Sequence, residues 1–541
     1  MIELGGAVMK VLSSAGAARA LWAVVTGVGV LVILIVLALQ LIPRLDSGQQ
    51  VLDDVGPAFA DNRVAGHEGA ITIVSQITDL ADPIATESGT AASEVPKLIR
   101  FVAGQTGLSG AEVLAALDEN APNTTALLQA IPLSDVTKEL PGLLEFLGTT
   151  LELSPQELMT LLRTDFPNLT QSVTALPIVT DGWDKVPGTE GLTRFDGTQI
   201  TDVPSVRDYF AQDVVPVVAR QRENLQDLDG KGGVGYVPYL LLAIGGLVTF
   251  FGGMMLWSIR SGPMSAGEGM AMWGVVTGGG LVVLVLVLGL SLFGRLGGGQ
   301  ELLDDAKPIF TDERVAGERA GIDMVSSIVD LGDPLATAEG GAGIDVAKLV
   351  LAVTNKTGLT VPEAVAALEE AAPKTTALLQ ALPLSAVADE LPGLVAFLAK
   401  TLKLSEAEVT ATIGKEFPGL AQVIATVGPV TGGWNEVPDL NGLTRFDGSP
   451  VTTVPDVRAY FSTDVVGAVE TRREEFQKLE STFPPVDVYA YLLFAIGLIV
   501  TALGATMVFV SRATGARAAS TATPPRAAPP PTPAASGPAP A

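Results

Sequence analysis

The chain has no cysteine and only one histidine in 541 residues. Without cysteine there is neither a disulfide framework nor thiol chemistry, so apolar burial must hold any folded part. The lone histidine is His67, and the position 251 residues on is Glu318. That spacing matters because the sequence repeats at it (below). A Ser-His-Asp triad or a histidine-ligated metal site present in both copies is therefore excluded. Positive charge is scarce as well: 33 Lys and Arg stand against 59 Asp and Glu, a net charge of −26. Such a field disfavours nucleic acid, anionic lipid and anionic polymers as partners. Its plainer reading is a solvated acidic surface.

Four apolar runs contain no Asp, Glu, Lys, Arg or His: Leu21–Ile42, Tyr239–Ile259, Met270–Phe293 and Val488–Val510. As helices each covers the roughly 30 Å hydrocarbon core of a bilayer. The first is long for the apolar part of a signal peptide, so it is read as a retained anchor. Short flanks set orientation. Arg512, Arg517 and Arg526 follow the last run without an acid among them, and Lys10 and Arg19 outweigh Glu3 before the first. The expected order is a cytoplasmic segment 1–20, a span, an extracytoplasmic domain 43–238, a span, a cytoplasmic loop 260–269, a span, a second extracytoplasmic domain 294–487, a span, and a Pro/Ala-rich tail 511–541 expected to be disordered. Uncharged spans make a poor transport path.

What the chain does have is itself, twice. Residue i matches residue i+251: Val51-Leu52-Asp53-Asp54 answers Leu302-Leu303-Asp304-Asp305, and Gly191-Leu192-Thr193-Arg194-Phe195-Asp196-Gly197 recurs unchanged at Gly442 to Gly448. This reads as a tandem duplication whose halves pair as a pseudo-dimer. Apolar residues Ile73, Val74, Ile77 and Leu80, with Met324, Val325, Ile328 and Leu331, follow helical spacing. Capping boxes are expected at Ser109/Glu112, Ser154/Glu157, Thr360/Glu363 and Ser405/Glu408. A closing helix should start at Pro204, with Val206, Tyr209, Phe210 and Val217 on one face. A smaller repeat places Leu108 to Pro132 and Leu153 to Pro177 in register, as two helix pairs expected to stack through Leu140–Leu151. Asp196-Gly197 suggests a two-residue turn in a short β-hairpin. The expected class is an all-α membrane protein with two homologous, mainly helical domains.

Motifs that carry chemistry are weak. Asp227-Leu228-Asp229-Gly230-Lys231-Gly232 lacks the later ligands of a calcium loop and reads as a glycine linker. No catalytic, cofactor-binding or metal residue is assigned, no cofactor is expected, and an enzyme is the least favoured class. The candidate interaction surface is Trp183, Arg194, Phe195 and Asp196 with Trp434, Arg445, Phe446 and Asp447. The competing reading has Trp filling the core while Arg and Asp brace a turn. Gly245 and Gly252, with Gly497 and Gly504, are heptad-spaced and suit close packing of spans. Helix breakers at Pro43, Gly230–Gly233, Gly297–Gly299 and Pro484-Pro485 are expected to interrupt the helices at the membrane exits. These features suggest a bacterial envelope scaffold or binding module whose tethered copies raise the effective concentration for an unidentified protein or ligand. The alternative is an accessory subunit of a transport or secretion system, or a sensor without its own output domain.

Overall fold

The computed structural model describes residues 15–229, 235–261, 266–307, 309–480, 485 and 487–521. Among them all regular structure is helical, and the chain divides into two compact units.

One unit collects the apolar helices from three separate stretches of chain, Met1–Gln49, Asp227–Glu301 and Ser481–Ala541. Four of its helices are long and apolar enough to cross a bilayer, over Arg19–Ala38, Val237–Ser258, Met270–Gly289 and Val488–Ala513. They associate in two pairs, the first span with the second and the third with the fourth. Small residues set the approach. A Cβ on Gly252 would collide with Thr26, and one on Gly504 with Thr277. Gly245 lies against Gly29 and Ile33, and Gly497 against Val283 and Leu284. With no hydrophobic drive between helices in lipid, such backbone proximity is what holds a pair. Trp22 and Trp273, from different pairs, stack at 4.0 Å between ring centroids.

Pro43 and Gly297–Gly299 do not break their helices. Pro43 sits in the first turn of the Leu41–Val55 helix, where its missing N–H is no loss, and Gly297–Gly299 lie inside the Leu292–Ala306 helix. The interruptions come earlier, at Gln40 and Ser291, whose φ angles are 49° and 52°. Gly230–Gly233 and Pro484 lie outside the described residues. The last helix runs on from Val488 to Thr521, so the first part of the expected tail is helical; 522–541 lie outside the described residues.

The second unit is a helical body made of Gln50–Gln226 and Leu302–Glu480 together. Most of its buried apolar residues form one hydrophobic cluster drawn from both segments. The principal helix packing crosses between them. The Asp61–Ala85 helix lies on Pro418–Gly433, Pro167–Gly182 on Asp312–Ala336, and Pro122–Ala130 on Pro373–Gln380. The two small helix pairs within one segment therefore do not simply stack on each other. Gly110–Asn120 and Pro122–Ala130 are covered by Leu384–Leu402 of the other segment.

The crossing has a local cause. Four helices start with proline at Pro122, Pro167, Pro373 and Pro418, and the residues before them, Ala121, Phe166, Ala372 and Phe417, offer no capping side chain. Carboxylates from the opposite segment take the free N–H groups. Glu390 accepts from Thr124 N at 2.8 Å, and Glu139 from Thr375 N at 2.9 Å. Asp345 accepts from Asn168 N at 3.0 Å, and Glu94 from Leu420 N at 2.9 Å. Each bond is charge-assisted and lies at a positive helix end. By contrast the four capping boxes that face solvent are local, as expected from the sequence.

No strand forms where the hairpin was expected. A single bridge joins Thr193 to Gln199, and its counterpart joins Thr444 to Pro450. The turn is a three-residue one. Gly197 N donates to Arg194 O and Arg194 N to Thr198 O, with Gly197 at φ 88°. The ladder stops because Leu192 and Ile200 are drawn into the core and the chain then enters the Asp202 cap.

Candidate functional site

The sequence-derived surface comes apart in the folded body. Trp183 and Trp434 are 1% and 2% exposed, and their Nε1 groups donate to Asp82 and Asp333 at 3.1 Å. They fill the core and cannot reach a partner, because an indole with a buried N–H is committed to its acceptor. Arg194 is held bidentately by Asp213, and Arg445 by Asp464. Asp196 accepts from Thr198 N, and Asp447 from the Ser449 hydroxyl and Ser449 N, which braces each loop. Those bonds hold both aspartates below the usual carboxylate range. The Phe195 ring, 37% exposed, and the half-buried Phe446 retain surface beside the exposed Asp196 and Asp447.

Beneath these loops lie two crossed clusters. The closing helix is interrupted by a π turn at Tyr209–Val214, and its counterpart by one at Tyr460–Val465. Each turn supplies the aspartate that holds the loop arginine and a fully buried tyrosine. The tyrosine meets a titratable residue on the long helix of the other segment. Tyr209 donates to Glu318, and Tyr460 Oη lies 2.7 Å from His67 Nε2.

The same chain positions thus carry different chemistry. Glu318 and His67 are each 3% exposed. Burial pushes Glu318 up to about 8, opposed by the Tyr209 hydrogen bond and the charge of Arg314. Burial, reinforced by Arg63, pushes His67 down to about 4. Both tyrosines are raised, chiefly by burial. Near neutrality the Glu318 carboxyl is largely protonated and the His67 ring uncharged.

The arginines one helical turn before these residues also differ. Arg63 donates to Thr444 O at 2.8 Å, Arg445 O at 2.7 Å and Pro57 O at 2.9 Å, and lies over Phe446. Arg314 makes long bonds to the loop, to Thr193 Oγ1 at 3.3 Å and Arg194 O at 3.4 Å, lies over Phe195 and Tyr209, and also meets the Tyr209 hydroxyl. Its Nη1 is buried without a partner.

No protein-family model, curated protein or solved structure matches the chain.

Among the described residues no group of three or more His, Asp or Glu side chains could hold a metal ion. A cleft lined by Ile71, Val74, Phe210, Ile322, Val325 and Phe461 has about 30 Å³ of free volume, space for about one water. The clusters join one segment to the other. The polar residues missed in the sequence are Glu94, Glu139, Asp345 and Glu390, which cap helices of the opposite segment. Their signal was the reverse of a motif: a proline-opened helix with no cap of its own.

Proposed function

We propose that the chain is a membrane-anchored scaffold or binding module whose two copies, arisen by tandem duplication, act as one interlocked body. The observation that carries this reading is the set of four crossed carboxylate caps. Polar side chains that in another protein would face a substrate are spent on binding one segment to the other. Two freely tethered modules are thereby replaced by a single platform, so the gain in effective concentration expected for independent copies does not apply. Basic flanks support an orientation with both termini cytoplasmic and the helical body outside a bacterial plasma membrane. An acidic, cysteine-free surface suits that placement, and it favours an uncharged or basic protein partner over nucleic acid.

Crosslinking in intact membranes, followed by isolation of the full chain, tests the proposal. A defined partner joined to surface positions of the body supports it. Movement of a solute by the purified chain alone in liposomes would replace it with a transport reading. Recovery only within a transport or secretion complex would favour the accessory role.

A further inference from the structure

We propose that Glu318, Tyr209 and Arg314 form a proton-dependent latch that controls the loop at 193–197, and that the equivalent His67 cluster has no such action. The protonated carboxyl accepts the Tyr209 hydroxyl, and Arg314, beside that same hydroxyl, holds the loop through Thr193 Oγ1 and Arg194 O. When the carboxyl loses its proton to solvent, an unpaired buried carboxylate results. Its natural counter-ion is Arg314, one turn away on the same helix and already carrying a buried Nη1 with no acceptor. Arg314 then swings to the carboxylate, satisfying that orphan donor, and its two long bonds to the loop are lost. Phe195 loses the guanidinium above its ring in the same step.

Several charged groups on the packed elements have partners of their own. Arg194 is paired with Asp213, Arg207 with Asp79 and Asp208, and Arg458 with Asp330. Asp196 is held by its own loop. On the Val466–Glu480 helix Glu470 pairs with Arg319, and Arg473 with Asp312. Asp464 holds Arg445. Arg314 is the only one of these cations placed one turn from Glu318. In the equivalent cluster Arg63 already makes three short bonds to backbone oxygens, and an uncharged His67 gives it no reason to move.

The absence of cysteine makes the test clean. Gln199→Cys and, separately, Pro450→Cys place one nitroxide label on each exposed loop of the full chain in lipid nanodiscs, read by electron paramagnetic resonance from pH 6 to 10. The expected result is a rise in label mobility at 199 with a midpoint near 8, and no transition at 450. Glu318→Gln, which keeps the shape of the protonated acid, should abolish the transition. Glu318→His, which copies the other cluster, is the second variant and should abolish it too. A pH-independent spectrum at 199, the same transition at 450, or a transition surviving in either variant would overturn the proposal.

Discussion

Replacing Glu94 by alanine should loosen both segments of the body at once. The Glu94 carboxylate is 5% exposed and accepts from Gly419 N at 3.3 Å and Leu420 N at 2.9 Å, more than three hundred positions away in the chain. Its removal strands two donors at the start of the Pro418–Gly433 helix. Each buried, unpaired N–H costs about 1–3 kcal/mol. Loss of the negative charge at a helix N-terminus adds about 0.3–1 kcal/mol. The longer 3.3 Å bond contributes the lower figure, so the sum is about 2–5 kcal/mol, a large share of the about 5–15 kcal/mol that holds a typical domain. Glu94→Gln keeps one acceptor but turns an amide donor toward an N–H, and should fall at about half the cost.

Urea unfolding of the full chain in detergent, read by near-ultraviolet circular dichroism of the buried Trp183 and Trp434, measures the loss. Hydrogen exchange locates it. Protection should fall in the Asp61–Ala85 helix and in Pro418–Gly433 together, because the two pack on each other. A change below about 1 kcal/mol, or one confined to residues 50–226, would refute the claim that the cap crosses the segments.

Stability should respond to pH in opposite directions at the two clusters. Between about 4.5 and about 8 the folded chain keeps the Glu318 proton that the unfolded chain has lost, so stability falls as pH rises through that window. Glu318→Gln should remove this slope, on the order of 5 kcal/mol across the window, in urea titrations at several pH values. His67 is uncharged in the fold down to about 4, so its contribution is lost as pH falls from about 6.5, and His67→Gln should flatten the acid side. Gly252→Leu or Gly504→Leu should separate a pair of spans, since the added side chain meets Thr26 or Thr277, and faster proteolysis of the detergent-solubilised chain reads this out. Trp183→Phe should cost about 1–2 kcal/mol through the stranded Asp82, while leaving partner recovery from membranes unchanged.

The helical class, the four long apolar helices and the solvent-facing capping boxes were legible because each rests on residues a few positions apart. Ser109 finds Glu112, and Ser405 finds Glu408, within one turn. The span ends were displaced because proline in a first turn is harmless, whereas Gln40 and Ser291 bear no sequence mark of a positive φ. The crossed body was hidden for a different reason. Glu390 reads as one more acid on an amphipathic helix until Thr124 is placed beside it, and nothing local joins the two. The aromatic-and-charged run at 183–196 drew attention because its residue types suit recognition. Its Trp, Arg and Asp are instead used up in holding the loop and the core.

Thiol crosslinking inside a single chain tests the interlocked body most directly. Asn123 Nδ2 and Glu390 Oε1 lie 2.6 Å apart, on different segments. In the full chain carrying Asn123→Cys and Glu390→Cys, a short bifunctional thiol reagent should join residues 123 and 390 of one molecule. After cleavage between the second and third spans, the two fragments should then migrate together at the mass of one chain. Fragments that separate, or that join only as a product of two chains, would contradict the account.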